Sequence, residues 1–274
     1  MWTSNGDGVF INPTVLNPIY TPGPGDLING LVTLTLSATS LAPCTDVVSD
    51  NVIFNINPMP VAYAGPNATI CEGGNYELIN ATATNYTSLS WSTSGSGNFN
   101  NMNTLNPIYT PSLADIANGA VTLTLTLNNP PCLPQTSDMT LAIRQNPVAN
   151  AGTDATICEG SSYMVNNASA TNASSVLWAT SGSGTLMNPT TLTPTYIPSA
   201  ADIMIGSVQL TMTVYATAPC IATDVDAMEI TITRTPTAFA GNDETICANQ
   251  THTIAGSNAS QYSSLAWSTS GDGV

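Results

Sequence analysis

The 274-residue sequence contains no lysine. Its fixed cations are Arg144 and Arg234, set against 17 aspartates and glutamates, for a formal net charge of −15. That balance excludes nucleic acid as a partner, because phosphate contacts need clustered Lys and Arg. It excludes docking on an anionic lipid surface for the same reason. No run of 18 apolar residues is present, so nothing in this segment inserts into a membrane. No basic leader followed by an apolar stretch opens the chain, so no signal peptide is read. With His252 as the one histidine, most acid–base and nucleophilic constellations lack a member. The six cysteines form no Cys-x-x-Cys and have no histidine beside them, which removes a zinc site. A sustained helical period is missing too. Only 7% of residues are ionisable, and Thr, Ser and Asn supply the surface polarity instead.

What the chain does have is a repeat. Trp2, Trp91, Trp178 and Trp267 lie 89, 87 and 89 residues apart. The last three open Trp-Ser-Thr-Ser-Gly-Ser-Gly, Trp-Ala-Thr-Ser-Gly-Ser-Gly and Trp-Ser-Thr-Ser-Gly-Asp-Gly. Asn-Pro-Ile-Tyr-Thr-Pro at 17–22 returns at 106–111 and, altered, at 193–198. Ala-Gly-x-x-x-Thr-Ile-Cys ends at Cys71, Cys158 and Cys247. A period of this length is one small domain, so the chain reads as an array.

Within each period the pattern is that of strands. Val121, Leu123, Leu125 and Leu127 alternate with threonines, which gives one buried and one wet face. Residues 32–36 and 208–214 are counterparts, and 52–56, 139–143 and 228–232 form the next strand. The Ala-Asp-Ile-Ala-Asn-Gly segment at 114–119 and its copies allow one helical turn at most. Strands punctuated by Gly, Pro, Asn and Ser predict an all-β fold. The expected architecture is a tandem array of immunoglobulin-like β-sandwiches, about seven strands each. The expected division is 1–60, a partial repeat without its first third; 61–147; 148–235; and 236–274, a partial repeat without its last part. Short proline linkers near 57–60, 145–147 and 235–236 predict a semi-rigid rod. Met1 falls inside a repeat, which is the pattern of a stretch taken from something longer. The end pieces nearly complete one another, so polymerisation by strand complementation is an alternative.

The cysteines fall in two classes, Cys71, Cys158 and Cys247 after Thr-Ile, and Cys44, Cys132 and Cys220 after Pro. One of each per unit reads as a disulfide, hence an extracytoplasmic protein. Two pairings are open. Bridges within units are Cys71–Cys132 and Cys158–Cys220, leaving Cys44 and Cys247 to partners outside this stretch. Bridges across linkers are Cys44–Cys71, Cys132–Cys158 and Cys220–Cys247. The first is the expectation, since closing a loop of roughly 60 residues restricts the unfolded chain by about 4 kcal/mol.

The Trp-x-Thr-Ser-Gly-Asp-Gly, Asn-Pro-x-Tyr-Thr-Pro, Asp-Ile-x-x-Gly and Val-Thr-Leu-Thr-Leu motifs, with Ala151–Gly160, resemble a known module. They are similar to the PKD-like (polycystic-kidney-disease-like), immunoglobulin-type repeats of giant surface proteins of Bacteroidota. The resemblance covers the whole chain. It implies a stretch of a secreted adhesin, of the gliding-motility type exported by type nine secretion. The chain departs from the module at Gly95–Gly97 and Gly182–Gly184, where Gly-Ser-Gly replaces Gly-Asp-Gly. That puts a metal role for Asp7 or Asp272 in doubt.

No catalytic residue and no cofactor are read. Asp26, Asp115 and Asp202 recur at one place and read as turn caps, with calcium ligation as the alternative. The tryptophans read as core, the alternative being sugar stacking. Tyr20, Tyr109 and Tyr196 read as strand-edge packing. His252 reads as a surface or strand residue, and Asp224, Asp226 and Glu229 as solvation or edge protection rather than paired catalytic carboxylates. Seven Asn-x-Ser/Thr sequons, at Asn67, Asn80, Asn85, Asn167, Asn172, Asn249 and Asn258, accompany the Asn/Thr/Ser-rich composition.

The functional expectation is a non-enzymatic stalk of an extracellular, outer-membrane-attached bacterial adhesin. Its partners are neighbouring repeats of the same or an identical chain, with the distal ligand unassigned. One alternative is a set of carbohydrate-binding spacer modules of a secreted polysaccharide-degrading enzyme. The other is a self-assembling fibre.

Overall fold

The structure is a computed structural model and describes residues 1–271. The chain separates into two compact units, Met1–Gln145 and the residues from Asn146 onward. Each is built from β-strands, with helices of only six residues between them. The fold is all-β, a tandem series of sandwich repeats.

The repeat starting at Val61 shows how the sequence makes the sandwich. Alternation along the strand Ala120–Asn129 buries Val121, Leu123, Leu125 and Leu127 and leaves the threonines half-exposed. This strand is central. It pairs with Ser88–Thr93 on one side and with Cys132–Arg144 on the other, and Ala68–Cys71 joins the far edge in parallel. Facing that sheet are Asn98–Phe99, Ile108–Thr110 and Tyr76–Glu77, together with the pair Val61–Tyr63 and Thr82–Thr84. Trp91, Tyr109, Leu78 and Met139 fill the space between the layers with the four alternating residues of the central strand.

The repeat starting at Val148 has the same plan. Its sheet runs Ala173–Thr180, Ser207–Ala216, Thr223–Thr233 and Ala155–Cys158, and its core centres on Trp178, Tyr196, Leu210, Met212 and Met228. Each of these repeats contains nine strands rather than the expected seven. The extra ones are two- and three-residue pairings at loop edges, too short to leave an alternation in the sequence.

The helical segment is also longer than one turn. Leu113–Asn118 is a six-residue helix, capped by Ser112 at its start and by Gly119 at φ 77° at its end. The equivalents are Pro24–Asn29 and Ala200–Ile205. A Ser/Thr-x-x-acid capping box and a left-handed glycine stabilise even so short a helix.

The flanking pieces are simpler. Residues 1–56 hold the sheet Trp2–Ser4, Leu31–Thr39 and Val47–Asn55, a two-stranded pair Val9–Ile11 with Ile19–Thr21, and the capped helix. Beyond Thr235, the described strands are Thr237–Phe239 and Asn258–Ser260, paired antiparallel.

Candidate functional site

The recurring polar side chains converge on one feature in each repeat, built around a buried aspartate. Asp115 is fully buried. Its Oδ2 accepts the Tyr109 hydroxyl at 2.8 Å and the Ser112 amide at 2.9 Å, and its Oδ1 accepts the Ser96 amide at 2.9 Å. The Asp115 amide in turn donates to Ser112 Oγ at 3.1 Å. Asp202 repeats the arrangement with Tyr196, Ser199 and Ser183 at 2.7, 2.8 and 2.9 Å. Burial pushes both carboxyls up, but the backbone amides of the serines and the tyrosine hydroxyl outweigh it, and both end below the usual carboxylate range. Burial, and the neighbouring carboxylate, push the Tyr109 and Tyr196 hydroxyls up.

This accounts for the Gly-x-Gly of the tryptophan motif. A Cβ on Gly95 would sit 2.1 Å from Asp115 Oδ1, and one on Gly97 would sit 2.4 Å from the Tyr109 hydroxyl. The turn is glycine-rich because the backbone has to close over the carboxylate.

Asp26 shows how the network absorbs substitution. Tyr20 donates to it at 2.6 Å, and that bond leads in holding its carboxyl below the usual range. Here the helix cap is Gly23, which has no side chain to offer. Asp7, from the Gly-Asp-Gly turn, takes over. Its Oδ1 accepts the Asp26 amide at 3.1 Å and its Oδ2 the Gly25 amide at 2.9 Å. In the other two repeats the pairs Ser96–Ser112 and Ser183–Ser199 stand at these two positions, each hydroxyl pair 2.7 Å apart. Asp7 is therefore a cap. Asp272 lies outside the described residues. The three aspartates expected to cap turns do so, and their oxygens already face N–H and O–H donors. Among the described residues no group of three or more His, Cys, Asp or Glu is placed to hold a metal ion.

The other sequence candidates resolve individually. Trp91 and Trp178 are core residues, 1% and 3% exposed, each with its Nε1 donating to a carbonyl of its own repeat. Trp2 is half-buried and Trp267 is 62% exposed. The core expectation fails at Trp267 because no sheet packs over it among the described residues. The recurring tyrosines are hydrogen-bonded to the buried aspartates, which goes beyond the edge packing expected of them. His252 lies outside the strands, its Nε2 3.0 Å from Glu244. Asp224 and Asp226 accept the Ala149 and Ala151 amides at 2.8 and 2.7 Å, holding the first strand of the repeat against the sheet.

The cysteines correct the expected pairing. Cys71 and Cys220 are disulfide-bonded, while Cys44, Cys132, Cys158 and Cys247 are free. The bridges Cys71–Cys132 and Cys158–Cys220 are not formed, and the register shows why. Cys71 pairs with Arg144, the last residue of the strand that Cys132 begins, so the two cysteines stand at opposite ends of a thirteen-residue strand. At about 3.3 Å per residue that is roughly 40 Å, whereas a disulfide needs Cα atoms within about 7 Å. Cys158 pairs with Thr233, and Cys220 precedes the start of the same strand at Thr223, so the second bridge fails in the same way. The cross-linker set Cys44–Cys71, Cys132–Cys158 and Cys220–Cys247 is not formed either, because each pair contains a free thiol.

No protein-family model and no curated protein matches the sequence. The likeness to Bacteroidota adhesin repeats therefore rests on the motifs themselves. Among solved structures the chain is similar to extracellular cadherin repeats. Protocadherin gammaB7 EC3-6 is 15% identical with a TM-score of 0.39, over 89% of this chain and 70% of that one. Human CDH23 EC21-23 is 14% identical with a TM-score of 0.43, over 81% and 80%. The human desmocollin-1 ectodomain is 13% identical with a TM-score of 0.42, over 86% and 56%. Likeness at this level says nothing of what the chain binds.

Proposed function

We propose that the chain is a structural stretch of a secreted cell-surface adhesin, a stalk of sandwich repeats that carries a binding element away from the cell. By its motifs the parent protein is of the Bacteroidota type, outer-membrane-attached and used in adhesion or gliding. The stretch itself has no enzymatic role and no cofactor.

One observation supports this reading above the others. The residues repeated most faithfully, the Trp, Tyr, Asp and Gly-x-Gly positions of the two repeats 61–144 and 148–233, are all turned inward onto their own repeat. What recurs is an architecture, not a surface. A repeated architecture supplies length and resistance to unfolding. The burial of Trp91 and Trp178 speaks against the carbohydrate-binding alternative, in which these side chains would stack on sugar.

Single-molecule stretching of the reduced chain tests the reading. Each complete repeat releases about 80 residues, so two unfolding steps of roughly 300 Å in contour length are expected. Extension without force-resisting steps of that size overturns the reading.

A further inference from the structure

The first segment of each complete repeat runs beside its last strand from end to end. In the repeat 61–144 the chain enters where the strand Cys132–Arg144 begins. There Asn129 Nδ2 donates to the Pro58 carbonyl at 3.0 Å and Cys132 Sγ to the Asn57 carbonyl at 3.3 Å. Farther along, the Ala64 amide donates to Ser137 Oγ at 3.1 Å and the Thr140 amide to Asn67 Oδ1 at 2.8 Å. Ala68–Cys71 then pairs in parallel with the end of the strand, and the Glu72 amide donates to the Arg144 carbonyl at 2.8 Å where the chain leaves. The repeat 148–233 takes the same course. The Ala149 and Ala151 amides donate to Asp224 and Asp226 at 2.8 and 2.7 Å, and the Glu229 amide to Asp154 at 2.8 Å. Ala155–Cys158 pairs in parallel with the end of the strand Thr223–Thr233, and just beyond it Thr235 donates to Glu159 through its amide and its hydroxyl.

Entry and exit of the repeat 61–144 are thus separated by its last strand, thirteen residues or roughly 40 Å at about 3.3 Å each. Tension on the chain draws the first segment toward the entry and the last strand toward the exit. Two parallel neighbours drawn in opposite directions must slide. The evenly spaced ladder bonds and the side-chain bonds beside them then carry the load together, and the seam cannot be unzipped from one end.

We infer that this seam is the force-bearing element of each repeat, and that the two seams are graded, the one in 148–233 outlasting the one in 61–144. The seam's use rests on the stalk reading proposed above. The grading comes from side chains at matched places. Ser137 and Asp226 accept the matched amides of Ala64 and Ala151, and Asn67 and Asp154 accept those of Thr140 and Glu229. The first seam is therefore stapled by a hydroxyl and a carboxamide, the second by carboxylates, with Asp224 as a further one. Charge-assisted hydrogen bonds are roughly twice as strong as neutral ones. Asp224, Asp226 and Asn67 thereby gain a common role, as staples across one seam.

Constant-force stretching of the reduced 274-residue chain in an optical trap reads the lifetime of each unfolding step, which follows the unfolding rate. We expect two steps of unequal lifetime. Asp226→Ser with Asp154→Asn should shorten the longer-lived step about tenfold and leave the other in place. Ser137→Asp with Asn67→Asp should lengthen the shorter-lived step about tenfold and leave the longer one in place. Each change installs what the matched repeat already carries, and circular dichroism verifies that the variants stay folded. Asp202→Asn separates the seam from stability in general. It lies off the seam in the stronger repeat, so it should lower that repeat's denaturant midpoint yet keep its lifetime under force within about twofold. Two steps of equal lifetime overturn the inference, as do swaps that move neither step or both, or an Asp202→Asn lifetime that falls as far as that of the Asp226 and Asp154 swap. These outcomes leave the stalk reading standing, whereas a trace without steps removes both.

Discussion

A buried carboxylate is tolerated only when its lone pairs are met, and Asp115 and Asp202 each meet theirs with two amides and a tyrosine hydroxyl. Replacing Asp115 by Asn turns one of the two acceptor oxygens into an NH2 group that faces N–H or O–H donors, and should cost about 2–3 kcal/mol in denaturant unfolding. The pH dependence has a definite sign. Both carboxyls titrate lower in the fold than in the unfolded chain, so their contribution is complete above about pH 4 and is lost as pH falls further. Tyr109 and Tyr196 are shifted up, so theirs is complete below about pH 10 and is lost as pH rises beyond. Unfolding midpoints across pH should therefore hold a plateau between these limits and fall on both sides. The exchange seen at Asp7 and Gly23 makes a sharper forecast. Ser112→Gly alone should destabilise by about 1 kcal/mol, because it removes the hydroxyl that meets the Asp115 amide and Ser96 Oγ, and Ser96→Asp in the same chain should restore most of it. Two additive losses would contradict the swap.

At the scale of elements, the hairpin strands decide what the cysteines can do. A thirteen-residue strand separates Cys132 from Cys71, so Cys132→Ser should leave the reduced and oxidised stability of its own repeat within about 0.5 kcal/mol of the parent chain. A loss of several kcal/mol on that substitution would contradict the register. The long strands were legible in the sequence because alternation at 121–127 and 208–214 is an energetic requirement of one dry and one wet face. The short facing strands were not, since two or three residues carry no period. The helices run longer than the sequence pattern suggests because their stability comes from caps and from the Asp–Tyr network, which are contacts across six and nineteen residues rather than local propensity. The network's signs were in the motifs all along, as a Gly-x-Gly turn, a Tyr-x5-Asp spacing and a Ser three residues before the Asp. Nothing in composition said that they close on one another. The cysteine pairing is not legible in the sequence, because spacing along the chain does not reveal that a parallel first strand puts its cysteine at the far end of the sheet.

At the scale of the whole molecule, the chain holds two kinds of structure. Residues 61–144 and 148–233 are sandwiches with two layers, whereas 1–56 and 237–260 expose the positions that those repeats bury. The central claim is that each complete repeat is self-sufficient, its polar and aromatic motifs serving its own fold. Amide hydrogen exchange of the reduced chain tests that most directly. The account predicts strong, similar protection at Val121–Leu127 and Val208–Val214, and fast exchange at Val47–Asn55 and Asn258–Ser260. Equal protection of the end strands, or weak protection of the two central strands, would contradict it.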